Sequence, residues 1–322
     1  EAAVIGETLS RLVAQDYPNL EILVLDDSST DSTADIARSA GSGVRVIPGA
    51  PLPQSWSGKN WACHQLAQHA SGELLLFTDA DVVWNPGAVS ALVAEMQRTR
   101  ADLLSVWPSQ ITVTLAERLI VPLMGMVIMA YLPILAVHHI PLTLFSASNG
   151  QCMLWCRNAY LKVGGHTAVR ANVVEDVALA RRVKVGGLRL RMADGAGLVG
   201  CRMYSGWATV RRGYAKNIIA GYGGVLPLLF ATGFHWLVFL LPIVLLFDPS
   251  QAPFAVPLTA LGISLRALSA AFTRQRVQDA LLLPVSVIAM TLIAAQALYW
   301  HFRFGGPRWK GRTLSRAGHA HG

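Results

Sequence analysis

Charge is scarce in this 322-residue chain: Asp, Glu, Lys and Arg together make up 14% of it, against 53% hydrophobic residues. That balance is skewed away from soluble globular domains and towards membrane proteins. Acid is scarcer than base, 19 residues against 27, leaving a net charge of +8. Such an excess suits nucleic acid, anionic lipid or a polyphosphate ligand. Aromatic and basic residues do not interleave as they do in single-strand binders, so nucleic acid is set aside as a partner. Cysteine is rare too. Cys63, Cys152, Cys156 and Cys201 form no paired metal spacing, and buried free thiols that need no oxidising compartment are expected. A P-loop is excluded because Asn60 follows Gly58-Lys59 where Ser or Thr is required, and Pro53 stands where the first Gly belongs. Neither an initiator Met nor a signal peptide is recognisable ahead of the first helix, Glu7 to Ala14, and a preceding segment outside this sequence is expected.

What is present is unevenly distributed. Residues 1–217 mix charged and apolar positions like a soluble domain, whereas three apolar blocks follow at Ile218–Phe247, Ala252–Phe272 and Ala280–Phe302. Each reaches the roughly 20 residues a helix needs to cross hydrocarbon. Arg211, Arg212 and Lys216 precede the first block, and Arg308, Lys310, Arg312 and Arg316 follow the last, which assigns the basic excess to a membrane surface. Pro227 and Pro242 interrupt the first block and Arg266 lies inside the second. Loop charges place Asp248–Gln251 outside and the Arg274/Arg276 loop in the cytoplasm, which leaves the side of the basic tail, residues 303–322, open. An earlier apolar run, Leu119–Val137, carries Pro122 and Pro133 and ends in His138-His139; it reads as an interfacial or re-entrant segment. Those two histidines, like His319 and His321, lack a fixed third partner for a metal.

Before these blocks, helices and strands alternate. Strands are expected at Glu21–Leu25, Val44–Ile47, Leu74–Thr78 and Leu103–Val106, with helices at Thr33–Ala40, from Gly58 towards Gly72, Ala88–Arg98 and Glu175–Lys184. The pattern predicts an α/β fold around a mostly parallel sheet. Leu74-Leu75-Leu76-Phe77 reads as a strand buried on both faces that ends in Asp79-Ala80-Asp81. Ligands of open α/β sheets collect at the carboxyl ends of strands, and carboxylates two apart on an extended segment share one side, where they can grip a hard cation. By itself the pair is equally an Asp-capped turn.

Taken in order, several motifs make the chain resemble glycosyltransferase family 2, with its GT-A nucleotide-sugar fold. They are Ala14-Gln15-Asp16-Tyr17-Pro18, Val24-Leu25-Asp26-Asp27-Ser28-Ser29-Thr30-Asp31, Gly58-Lys59 with Ala62, Ala70-Ser71-Gly72-Glu73, Asp79-Ala80-Asp81, Gly164-Gly165 and Glu175-Asp176. The resemblance covers residues 1–217, and the tail ending in Trp309-Lys310-Gly311-Arg312 is similar to members that glycosylate lipids, above all the bacterial branch associated with hopanoids and carotenoids.

The resemblance implies a nucleotide-sugar donor, a UDP-sugar foremost, contacted by Asp26 or Asp27, Lys59 and Asp79. It implies a Mn or Mg ion on Asp79 and Asp81, and Asp176 as the base that takes the acceptor proton. Glu175, Asn149 and Gln151 fall on the acceptor side, and Arg212 or Lys216 is available to a diphosphate or lipid headgroup. Alternative local roles are helix capping for Asp26, Asp27 and Asp176, and a solvated helix start for Lys59. A helix N-terminus at Asp176 is expected to lower its pKa. The implied partners are a lipid acceptor and the bacterial inner membrane, with the catalytic domain facing the cytoplasm. Two features depart from the family: its first strand would precede Glu1, and the Arg-Trp pair of processive relatives is missing from Arg211-Arg212-Gly213-Tyr214-Ala215-Lys216-Asn217. A processive polysaccharide synthase or an inactive scaffold that keeps the fold are the alternative functions.

Overall fold

A computed structural model describes residues 1–306 together with the backbone of 308–309 and 312–313. Lys310, Gly311, Arg316, His319 and His321, and the side chains of Arg308, Trp309 and Arg312, lie outside the described residues. In chain order the elements are α1 (Ile5–Val13), β1 (Ile22–Asp26), α2 (Thr33–Ser39), β2 (Val44–Pro48), α3 (Gly58–His69), β3 (Leu74–Thr78), β4 (Val82–Trp84), α4 (Ala88–Thr99), β5 (Leu103–Trp107) and β6 (Ser109–Gln110). They continue with α5 (Leu115–Tyr131), α6 (Ile134–His139), β7 (Cys152–Cys156), α7 (Arg157–Lys162), α8 (Glu175–Val185), β8 (Leu190–Asp194) and β9 (Val199–Cys201). The C-terminal helices are α9 (Gly206–Gly221), α10 (Val225–His235), α11 (Leu241–Leu245), α12 (Ala252–Phe272) and α13 (Leu283–Phe304). Two compact units result: Glu1–Ser109 with Leu132–Arg202, and Gln110–Tyr131 with the chain from Met203 onward.

The first unit is a mixed α/β body. Its four-stranded sheet runs β3-β7-β5-β8, in which β5 and β8 are parallel while β7 is antiparallel to both β3 and β5. β1 and β2 pair in parallel as a separate two-stranded ribbon, and β4 pairs antiparallel with β9. The expected parallel pairing is thus present at β1–β2 and β5–β8, and it is broken where β7, arriving from a distant loop, inserts against its neighbours. Strand β3 was expected to be buried on both faces; instead Leu75 and Phe77 are buried while Leu74 and Leu76 are only partly covered. Its two faces serve different cores. Leu74 and Leu76 pack against a cluster with Leu9, Trp84, Leu92 and Leu154, while Leu75 and Phe77 join Trp155, Tyr160, Leu179 and Leu190. Burying these large side chains on both faces of the β3–β7 pair fixes the register, because a one-residue slip would exchange the two clusters.

The second unit is helical. Leu119, Ile120, Leu123 and Met126 of α5 pack with Tyr214, Phe239, Ile293 and Trp300. Three helical stretches are long and apolar enough to cross a membrane among the described residues: Val225–Leu245, Ala252–Phe272 and Val277–Phe304. The first widens to a π-helical turn at Trp236–Leu240, where Pro242 has no N–H to donate back into the ladder. The apolar run Leu119–Val137 does not form one element. α5 ends at Tyr131, and Pro133 caps the short α6, because proline cannot continue a helix it does not begin.

Candidate active site

At the carboxyl end of β3 the chain turns sharply through Asp79, whose N–H donates to the Gln151 carbonyl at 3.3 Å. This links the acidic turn to the Asn149-Gly150-Gln151 loop that leads into β7. Across the same space Ser57 caps α3, its hydroxyl accepting from the Asn60 N–H, and so delivers Lys59 from the first turn. Lys59 Nζ lies 2.9 Å from Asp79 Oδ1 and 3.0 Å from Glu175 Oε1, and donates to the Gly150 carbonyl at 3.3 Å. One ammonium thus ties together three segments separated by many tens of residues.

Asp176 stands next to this bridge at the head of α8. Its Oδ2 accepts from the Gly150 N–H and its Oδ1 from the Val177 N–H, both at 2.8 Å. Burial and the adjacent Glu175 charge push Asp176 up to about 7, and the opposing pull of Lys59 and the two N–H groups does not cancel them. The lowered value expected from a helix N-terminus is corrected by this result. The helix N-terminus still favours the carboxylate, but desolvation and a second carboxylate outweigh it. Lys59 is held well above its ordinary value: burial pulls it down, but Glu175 and Asp79 outweigh that.

Asp81 is pushed up to about 6 by burial and by the Asp79 carboxylate. Its Oδ1 is buried without a hydrogen-bond partner among the described residues. An orphaned carboxylate oxygen beside a second carboxylate is a donor set that fits a divalent cation. No group of three or more His, Cys, Asp or Glu poised to hold a metal occurs among the described residues, so two carboxylates would need oxygens from a ligand or water to complete a coordination shell.

The remaining predicted residues divide. Asp27 lies near the cluster, since a methyl group built on Gly58 would stand 3.7 Å from its Oδ2. Asp26 instead accepts from the Ser29 N–H at 3.0 Å, and its hydrogen bonds to the Ser29 side chain and backbone hold its pKa below the usual range. Asn149 and Gln151 are buried. The Asn149 N–H donates to Ser105 Oγ at 2.7 Å, the Gln151 N–H to Asn149 Oδ1 at 2.9 Å, and Gln151 Nε2 to Cys201 Sγ at 2.9 Å. They shape the loop. Arg212 and Lys216 are on α9, in the second unit, where Arg212 Nε donates to the Ala208 carbonyl at 3.1 Å.

Sequence reasoning missed Gly150. A Cβ there would stand 3.1 Å from both Lys59 Nζ and Glu175 Oε1, and 3.4 Å from Asp176 Cβ, so the cluster closes around the absence of a side chain. Its place between Asn149 and Gln151, both singled out, was the available signal. Asn60 was read only as a P-loop mismatch, yet its buried Nδ2 donates to the carbonyls of Val169, Arg170 and Asn172 at 2.8, 3.1 and 3.1 Å.

Residues 1–126 match the sequence model described as Glycosyl transferase family 2. The chain is 32% identical over 239 residues to 4,4'-diaponeurosporenoate glycosyltransferase of Staphylococcus aureus strain MRSA252, covering 72% of this chain and 62% of that protein. It is 31% identical over 238 residues to the protein of the same name from strain USA300, with the same coverage. The chain thus spans about three fifths of the length of these curated relatives. Among solved structures, a mannosyltransferase from Pyrobaculum calidifontis in complex with GDP-Man and Mn2+ is similar with a TM-score of 0.54 and 18% identity, covering 94% of this chain and 83% of that one. The likeness is one of fold, and the fold is of the GT-A kind.

Proposed function

Because the chain belongs to glycosyltransferase family 2, we propose that it is a membrane-bound inverting transferase. It moves a sugar from a nucleotide-sugar donor, a UDP-sugar foremost, to a hydroxyl of a lipid-soluble acceptor. The observation that carries this reading is Asp176, a carboxylate held by two backbone N–H groups and raised to about 7, beside the Lys59 bridge to Asp79 and Glu175. A general base works best with a pKa near the operating pH, where it is available as carboxylate and still basic enough to accept a proton. In the proposed reaction the acceptor oxygen forms a bond to the anomeric carbon, the bond from that carbon to the donor phosphate breaks, and the acceptor proton passes to Asp176.

Asp79 and Asp81 are the residues that would hold a Mn or Mg ion. Such an ion neutralises charge on a leaving diphosphate when bound. Lys59 adds a fixed positive charge at the same place, and Asp27, whose carboxylate faces Gly58 while that of Asp26 is engaged by Ser29, is the better candidate for the nucleotide contact. Asn149 and Gln151 position the loop whose Gly150 N–H orients Asp176.

The membrane part of the proposal rests on the three apolar helical stretches. Arg274 and Arg276 between the last two support a cytoplasmic side for that loop in a bacterial inner membrane, and the proposed topology puts the catalytic portion in the cytoplasm too. The division into a catalytic portion, residues 1–217, and a membrane portion, residues 218–302, belongs to the same proposal.

Transfer from a panel of labelled nucleotide sugars to extracted lipids, in membranes with Mn or Mg, tests it. Asp176→Asn is expected to lower transfer about 100- to 10,000-fold while donor binding persists. Asp81→Asn is expected to raise the metal concentration needed for half-maximal transfer by roughly tenfold or more, and chelation to stop the reaction until metal is restored. Undiminished transfer by the Asp176 variant would remove the base assignment.

A further inference from the structure

The second unit contains a buried cation for which the proposed transfer has no use. Arg266, in α12, is 1% exposed. Its Nη2 makes one long hydrogen bond, 3.4 Å to the Arg118 carbonyl, while Nε and Nη1 have no partner among the described residues. A guanidinium has five donors and cannot shed its proton, so burial with most of its donors unanswered is strongly unfavourable.

Among the described residues no acid of this unit makes a hydrogen bond to it. The acids are Glu117, Asp248 and Asp279. Glu117 accepts from the N–H groups of Val113 and Gly206 and from the Thr114 hydroxyl, each at 2.8 Å. Asp248 lies before the opposite end of α12 and accepts from Ser250. Asp279 is gripped by both prongs of Arg118, Nε at 2.8 Å from Oδ2 and Nη2 on Oδ1. Asp279 also attracts Arg266 and Arg276 from farther off, so one carboxylate faces three guanidinium groups and the cluster keeps a surplus of positive charge.

A second polar group points to what would balance it. Ser269, three residues on and so on the same face of the helix, is 2% exposed, and its hydroxyl also has no partner among the described residues. The depth is informative. Arg266 is six residues from the end of α12, roughly 9 Å along the helix, within snorkelling reach of the interface there. At that end Arg274 and Arg276 are exposed, a basic rim that concentrates anions.

We propose that Arg266 and the Ser269 hydroxyl form a buried oxyanion site in the membrane unit that takes the phosphate of an anionic membrane lipid. Arginine's fork matches two phosphate oxygens, the serine hydroxyl supplies another donor, and Arg274 and Arg276 guide the headgroup in. A zwitterionic phosphate does not suit the site, because its own ammonium would be brought among three arginines.

Full-length protein in neutral detergent tests this without reference to catalysis. Phosphatidylglycerol, phosphatidylcholine and inorganic phosphate are titrated separately, with retained lipid read by native mass spectrometry and the unfolding midpoint followed alongside. One phosphatidylglycerol is expected to remain per protein and to raise the midpoint, with phosphatidylcholine at least tenfold weaker because of its ammonium and inorganic phosphate at least tenfold weaker because it has no acyl chains to bury. R266M is expected to weaken phosphatidylglycerol about tenfold or more, whereas R276Q, on the rim, changes it only about twofold. Should R266M not fold, R266K keeps the charge without the fork and is expected to lie between wild type and that loss. Equal binding of the two lipids, inorganic phosphate binding as tightly as phosphatidylglycerol, or undiminished binding by R266M, or by R266K in its place, would each overturn the proposal.

Discussion

Replacing Lys59 with Gln is expected to move the acid limb of the pH–rate profile upward by about one unit, a displacement that loss of donor affinity alone would not produce. Asp176 titrates near 7 because burial and Glu175 raise it further than Lys59 lowers it. Gly150 bounds the scale: a Cβ there would lie 3.1 Å from Lys59 Nζ and 3.4 Å from Asp176 Cβ, and a charge separation of about 6 Å is taken within that bound. At an effective dielectric of about 20 their attraction is roughly 3 kcal/mol, or about two pKa units. Lys59 is 41% exposed, so solvent screening reduces this to about one. The sign follows from the base being active as carboxylate. Below its pKa the rate falls about tenfold per pH unit, so K59Q loses a further tenfold near pH 6 relative to its own plateau, and nothing further near pH 9. The assay is kcat/KM for transfer from about pH 5 to 9, with donor and metal saturation checked separately at each pH. A limb at the same pH in K59Q, or an unchanged limb in D176N, would refute the reasoning.

Three further outcomes are expected. G150A forces a methyl group to within 3.1 Å of Lys59 Nζ and Glu175 Oε1 and should cost about 1–3 kcal/mol in a thermal or denaturant melt, with transfer reduced at least tenfold. N60A takes the donor from the Asn172 carbonyl and leaves the Val169 and Arg170 carbonyls with one backbone N–H each, and should destabilise the first unit by about 1–3 kcal/mol, read as earlier proteolysis of the 169–172 loop. D176N should gain stability relative to wild type as pH rises through 7. A carboxylate whose folded pKa is raised from 3.8 to about 7 favours the folded state when protonated, and that advantage is lost as it ionises. Melting both proteins near pH 5 and pH 8 checks the sign.

The fold was legible where local pattern and tertiary demand agree. Leu74–Thr78 was read as a strand with its observed bounds because four apolar residues end abruptly in polar ones. Its burial was misjudged, since alternation between two different apolar cores looks in sequence like continuous burial. The direction of β7 was not legible, because antiparallel insertion depends on the path of the chain between Gln110 and Asn149, which periodicity does not encode. Likewise Leu119–Val137 is continuous in hydropathy but divided at Pro133, with α5 and α6 in different units.

At the site, residue types were legible and their electrostatics were not. Asp79, Lys59, Glu175 and Asp176 were named from motifs, but the bridge from Lys59 to both Asp79 and Glu175 joins positions no local rule connects. The error over Asp176 has the same origin. A helix N-terminus is visible in sequence and argues for a lowered pKa, whereas Glu175 and desolvation act through the folded environment and argue for a raised one. Arg266 repeats the lesson in the membrane unit. In sequence it is a flaw in an apolar block; in the structure, with Asp279 already held by Arg118, it becomes a charge that requires a partner. In both units the informative quantity is how many charges the fold brings together and how many of them it leaves unbalanced. At Lys59 two carboxylates share one ammonium and leave a surplus of negative charge, while at Arg266 the surplus is positive and calls for an anion.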